Sequence, residues 1–220
     1  LLAASLPAQP GQNALELGCG VGVASLCLMA RVPGLRVQGV ELQADYADLA
    51  RRNGQQAGGD FTVWTGDLTQ LPEDLRSQQF DHVFANPPYF DRAASSPAQD
   101  RGRDIAMGID TTLADWVAVA AKRCKPKGYV SFIQRIERLP ELLSAMQAQL
   151  GGLQLLPITP RMGRDSQLFL IRGRKAGRAD FRLHAGIVMH DGPQHSQDGD
   201  SYSPMISAVL RDGAALPFPL

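Results

Sequence analysis

The chain has 220 residues and 23.7 kDa, with 44% apolar and 20% charged residues. That is an ordinary globular composition with enough chain to bury a core, and it excludes a disordered protein. Its 22 Lys and Arg balance 22 Asp and Glu, which excludes a uniformly basic coat and leaves room for a local patch. No apolar run approaches ~18 residues, so no membrane span is expected. Three cysteines (Cys19, Cys27 and Cys124) without C-x-x-C spacing argue against a disulfide framework or a Cys-rich zinc site. A reducing cytoplasm and no metal are the expectation. The chain opens Leu1-Leu2-Ala3-Ala4 with no Met and no charged n-region, and reads as the remainder of a longer N-terminal segment.

Strand-like and helix-like runs alternate. Asn13 to Leu17 is a short apolar strand ending in glycines, and Val23 to Arg31 a helix. Leu35 to Glu41 is a second strand, Ala44 to Gln56 a helix stopped by Gly58-Gly59, and Phe61 to Thr65 a third strand. Phe80 to Ala85 is a fourth, closed by Pro87-Pro88. Thr111 to Cys124 is an apolar helix with cations near its C-terminal end, where they suit the dipole. Tyr129 to Gln134 is a strand, Leu139 to Leu150 a helix, and Leu153 to Ile158 and Gln167 to Ile171 two more strands. This alternation predicts an α/β sheet with helices on both faces. The stretch from Phe90 to Asp110 has no period and reads as a mobile functional loop; Gly186 to Leu220 is loop-rich, with a short helix over Ser203 to Leu210.

Residues 15 to 23 read L-E-L-G-C-G-V-G-V, between a strand and a helix. At the carboxyl end of a first strand this is a cofactor pocket, where glycine lets a ligand touch the backbone. The spacing fits neither the dinucleotide fingerprint nor a P-loop. Glu16 would welcome the positive end of a cofactor. Glu41, ending strand two, can accept both hydroxyls of a ribose. Asp67, after Gly66, can accept an exocyclic adenine amine; alone, it could equally cap the following turn. The order of these elements makes a nucleoside cradle, and S-adenosylmethionine the expected cofactor, released as S-adenosylhomocysteine.

Phe84 to Phe90 reads F-A-N-P-P-Y-F after strand four. Two prolines fix the backbone and remove two donors. The Asn86 amide oxygen and the Pro87 carbonyl can together accept both hydrogens of a planar amino group, turning its lone pair toward an electrophile. Tyr89 offers a face on which a flat substrate stacks. This predicts methyl transfer to nitrogen by positioning and electrostatics.

These residues resemble the class I S-adenosylmethionine-dependent amino-methyltransferases over about residues 13 to 172. Within that group, N-P-P-Y-F with a long loop and the W-V-A-V-A-A-K-R-C-K-P-K-G-Y passage are similar to the bacterial tRNA (adenine-N6)-methyltransferases acting on a valine tRNA. The resemblance implies a Rossmann-like, seven-stranded, mostly parallel sheet with a reversed last hairpin and helices on both faces. It implies one domain: residues 1–12 a remnant, 13–172 the catalytic core, 173–220 a C-terminal extension. It implies Asn86, Pro87, Pro88 and Tyr89 around the target amine. Around the cofactor it implies Glu16, Gly18, Cys19, Gly20, Gly22, Glu41, Leu42, Gly66, Asp67, Leu68 and Asn86.

The tetrapeptide gives reaction type, not substrate. Seven basic residues against two acidic ones between Arg161 and Arg182 make a patch that could track phosphates, or a hairpin edge protected by charge. The expected RNA contacts are Arg161, Arg164, Arg174 and Lys175, extended by Arg101 and Arg103 in the long loop. Single-stranded or loop RNA suits a base that must enter a pocket, and a tRNA is the expected partner. Protein glutamine methylation, another nucleic-acid base and a non-catalytic cofactor-binding module are the competing readings, and the sequence leaves oligomeric state open.

Overall fold

The computed structural model describes residues 1–89, 111–192 and 201–219. The loop expected over 91–110, with Arg101 and Arg103, lies outside the described residues. Nine strands form one sheet: β1 Asn13–Leu17, β2 Arg36–Glu41, β3 Phe61–Thr65, β4 Phe80–Ala85, β5 Cys124–Arg135, β6 Gly151–Arg161, β7 Leu168–Arg174, β8 Arg182–Leu183 and β9 Ile187–His190. The order is β3-β2-β1-β4-β5-β7-β6, and β8 and β9 both pair with β6. Only β7 runs antiparallel to its neighbours. The seven expected strands are therefore joined by two short ones, too brief to show an alternation in the sequence. The β5 strand begins five residues before the apolar run, because Cys124 bridges Phe80 ahead of a register shift.

Among the described residues seven helices flank the sheet: α1 Leu2–Ser5, α2 Val23–Arg31, α3 Ala44–Ala57, α4 Glu73–Arg76, α5 Leu113–Arg123, α6 Leu139–Gln149 and α7 Pro204–Arg211. Alternate residues of the central strands feed two cores. On one face Leu15, Leu17, Val83, Phe132 and Phe169 pack with Val117 of α5 and Met146 of α6. On the other Ala14, Phe84, Ile133 and Leu170 pack with Leu28 of α2, Val209 of α7 and the apolar residues of α1. Thr112 and Asp115 start α5 with a reciprocal capping box. The flanking segments share the second core. Arg31 donates to the carbonyls of Ala3 and Leu6, and the Leu216 amide donates to the Ala4 carbonyl at 2.8 Å.

Phe84, next to the last residue of β4, has no exposed surface. Phe84→Ala should lower unfolding free energy by about 3–5 kcal/mol, the cost of removing a buried ring and leaving its cavity. Urea denaturation followed by circular dichroism checks this; a loss below about 1 kcal/mol would mean the face repacks.

Candidate functional site

Register brings the strand ends to one level. Leu17 pairs with Val40 and with Ala85, and Glu41 pairs with Thr65. The loops after β1, β2, β3 and β4 therefore share one edge of the sheet. The order of successive strands reverses between β1 and β4, which lie side by side in parallel, and ligands of open α/β sheets bind outside the strand ends at such a point.

The glycine loop is built by its backbone. Gly18 has φ of +63°, and a Cβ there would lie 2.6 Å from the Trp116 ring, so only glycine fits between the loop and α5. Gly20 also lies in the left-handed region at +54°, and a Cβ there would meet nothing within 4 Å. The space over Gly20 is open to a ligand. Cys19 is buried, and its Sγ would lie 2.7 Å from a Cβ on Gly39, so this thiol packs against β2. Burial also pushes it well above the usual thiol range. Gly22 caps α2 without a side chain.

Glu41 holds the loop. One carboxylate oxygen accepts the Gly20 amide at 2.9 Å and the other accepts the Gln43 amide at 2.9 Å. Each oxygen keeps a further lone pair for a ligand. Leu42 follows, half-buried. The Gly66 amide donates to the Glu41 carbonyl at 2.9 Å, joining the ends of β2 and β3. Asp67 does cap the next turn: its Oδ1 accepts from the Thr69 amide and hydroxyl, at 2.8 and 2.9 Å, while Leu68 is buried beneath. Its Oδ2 has no protein partner among the described residues.

Glu16 departs from expectation. Its carboxyl is buried and accepts from the Ser25 amide at 3.1 Å, with the Ser25 hydroxyl 2.5 Å away. Ser25 is in the first turn of α2, so Glu16 supplies from β1 the cap that Gly22 cannot. Burial pushes the carboxyl up to about 8, against the pull of the Ser25 bonds and with help from the Glu41 charge. The Ser25 bonds hold this carboxyl against the start of α2. Because its folded value exceeds the unfolded one, stability is full below about pH 4.5 and is lost as pH rises toward about 8. Buried His82, pushed down to about 4, acts oppositely and loses stability as pH falls below about 6.5. Glu16→Gln should therefore flatten the decline in thermal midpoint between about pH 6.5 and 8; an unchanged slope would assign that decline to another group.

At the end of β4, Asn86 and Pro88 are exposed, Pro87 is buried and Tyr89 is half-buried. Asn86 is thus exposed at the strand end, one residue past the Leu17–Ala85 pair and so beside the glycine loop. Three residues that the motifs did not flag complete the frame. Trp116 floors Gly18. The Asn53 side-chain amide donates to the Val21 carbonyl at 2.9 Å, tying α3 to the loop. Buried Gln134 donates to the Pro87 carbonyl at 3.2 Å. Its signal in the sequence was a lone polar residue ending an apolar strand.

The basic stretch is not one patch. Arg161 ends β6 and Arg164 is exposed in the following hairpin turn, on the site edge. Arg174 pairs with Tyr129 at the opposite end of the sheet, with Lys175 next to it. Ten strand residues separate these levels, roughly 30 Å. A hairpin reverses direction, so closeness in sequence does not become closeness in space. Arg174 is also engaged, donating to the Lys127 carbonyl at 3.0 Å and lying over the Tyr129 ring. Arg161 donates to the Asp191 carbonyl and to Ser201 Oγ, binding the C-terminal segment.

Strand order, reversed seventh strand and glycine loop together are those of the class I, Rossmann-like fold of the S-adenosylmethionine-dependent methyltransferases. Residues 1–101 match the methyltransferase small domain. The chain is similar to the tRNA1(Val) (adenine(37)-N6)-methyltransferase of Porphyromonas gingivalis, 31% identical over 136 residues, 60% of this chain and 52% of that relative. It thus spans about half the length of that curated relative. The relative of the same name from Haemophilus influenzae is 29% identical over 187 residues, 82% of this chain and 76% of its own. Among solved structures, a predicted O-methyltransferase, protein Atu636 from Agrobacterium tumefaciens, has a TM-score of 0.81 and 24% identity, covering 100% of this chain and 98% of that one. That likeness speaks for the fold.

Proposed function

We infer that the chain is an S-adenosylmethionine-dependent N-methyltransferase acting on the exocyclic N6 of an adenine in tRNA. One observation carries the reaction type: an exposed Asn86 amide followed by two prolines, at the end of β4 beside an open glycine loop. The residues present fit the cofactor. Space over Gly20 accepts a ligand against the backbone, Glu41 keeps one lone pair per oxygen for a ribose, and Asp67 keeps Oδ2 for an adenine amine. Gly18, Cys19, Gly22, Leu42, Gly66 and Leu68 shape this cradle, and Glu16 supports it through α2. When bound, S-adenosylmethionine supplies a methyl group on a sulfonium, an electrophilic carbon.

The protein's part is positioning. Asn86 Oδ1 and the Pro87 carbonyl accept the two amine hydrogens and fix the plane of the nitrogen. No strong base is needed, because the nitrogen becomes acidic only once it is alkylated; Asn86 Oδ1 accepts a hydrogen bond from it while its surplus proton passes to solvent. Pro88 keeps the turn rigid, and Tyr89 supplies a stacking face for the base. The names of the relatives support tRNA as substrate. For phosphate contacts we retain Arg164, with Arg161 behind it and Arg101 and Arg103 as candidates; Arg174 and Lys175 stand too far from the site edge. Three free cysteines suit a reducing cytoplasm.

The test offers labelled S-adenosylmethionine with separate pools of undermodified tRNA and total protein, and identifies the digested product. Label in N6-methyladenosine from tRNA is expected. Label in N5-methylglutamine would overturn the substrate.

A further inference from the structure

Gln134 is a neutral polar side chain with no exposed surface, in a strand otherwise made of Tyr129, Val130, Ser131, Phe132 and Ile133. Its Oε1 accepts from the Arg135 backbone amide at 2.8 Å. Its Nε2 donates to the carbonyls of Pro87 at 3.2 Å and Pro88 at 3.5 Å. The first bond fixes the orientation of the amide, since a backbone N–H must meet an acceptor.

The reason for this reach lies in the ladder. β4 and β5 pair in parallel as far as Ala85 and Phe132. Beyond Ala85 the chain presents Asn86, then two prolines without N–H groups, while β5 runs on against β7 to Arg135. The backbone ladder stops there. Gln134 extends it by a side chain, giving the proline carbonyls the donor that β5 would otherwise owe them.

We propose that Gln134 is the positioning residue of the amine site. Its Nε2 occupies one lone pair of the Pro87 carbonyl, so the other is aimed outward, level with the Asn86 amide. The role rests on the methyl-transfer reading above. Gln134 itself touches no substrate; it acts through Pro87.

Two variants test it, with S-adenosylmethionine and the tRNA pool. Gln134→Glu keeps the shape and the Oε1 acceptor, but its second oxygen donates to Pro87 only when protonated. Its kcat should rise as pH falls, along one protonation that the wild type lacks, while S-adenosylhomocysteine affinity stays within about twofold. Gln134→Leu should lose roughly 10–100-fold in kcat at every pH, with KM for tRNA little changed. A pH-independent kcat in Gln134→Glu, or wild-type kcat in Gln134→Leu, would overturn the role. Should Gln134→Leu not fold, the pH profile of Gln134→Glu decides. Hydrogen exchange at the Tyr89 amide gives a readout without turnover: it should quicken as Gln134→Glu ionises, and exchange that follows the wild type overturns the proposal. A wild-type protein that methylates no tRNA would count against the substrate reading alone, and the exchange measurement would still decide the role of Gln134.

Discussion

Asn86→Ala is expected to lower the methyl-transfer rate by about 10²–10³-fold, the usual cost of losing one preorganised acceptor at a reacting group. The side chain is exposed at the end of β4, so its removal opens no cavity and the fold should hold. Affinity for S-adenosylhomocysteine should change little, because the glycine loop is tied by Glu41 and Asn53 and not by Asn86. Asn86→Asp keeps an acceptor oxygen and should lose less. Single-turnover rates with tRNA, beside calorimetric titration of S-adenosylhomocysteine, separate the two effects. Near-wild-type turnover in Asn86→Ala would remove the amine-holding role.

Glu41→Ala should act on binding instead. Two backbone amides, of Gly20 and Gln43, lose their acceptor, and a ligand loses the pair of oxygens for its ribose. Charge-assisted hydrogen bonds are worth ~1.5–3 kcal/mol each, so the loss should be roughly 100-fold in S-adenosylmethionine affinity. With the cofactor saturating, the rate should recover to within about tenfold. Calorimetry reads the first effect and steady-state kinetics the second. A variant that binds normally would mean that Glu41 serves the loop alone.

The strand ends were legible because the apolar runs there stop at a glycine, an acid or an Asn-Pro-Pro turn. Leu17 before Gly18, Glu41 at the end of β2 and Ala85 before Asn86 all fall where the runs stop. Strand starts were harder. Cys124 to Gly128 carries Lys125, Pro126 and Lys127, which have no strand pattern, yet Cys124 is held in the sheet by Phe80. Edge pieces such as Arg182–Leu183 are strands only because β6 offers them partners.

The site divided in the same way. Backbone features such as the Gly18–Gly20 turn follow from residue type. Side-chain roles depend on what lies across the sheet. Glu16 sits in the expected motif, and its carboxyl accepts from Ser25, so that it caps a helix as well. Arg174 and Arg164 look alike in a string of letters, and the β6–β7 hairpin sends them to opposite ends of the molecule. Gln134 meets Pro87 through a tertiary hydrogen bond between residues with no sequence motif in common.

The bond between the Leu216 amide and the Ala4 carbonyl constrains how the protein is made on a ribosome. Leu2, Ala3 and Leu6 emerge before the strands of the sheet, but their burial is shared with Val209, Leu216 and Phe218, which are translated after them. One apolar cluster therefore stays incomplete until all nine strands have been made, exposed to chaperones and to like surfaces on neighbouring nascent chains. The opposite core, closed once β7 has been added, needs no residue beyond Ile171. Newly made molecules should thus pass through a stage with one face of the sheet sealed and the other awaiting its C-terminal segment.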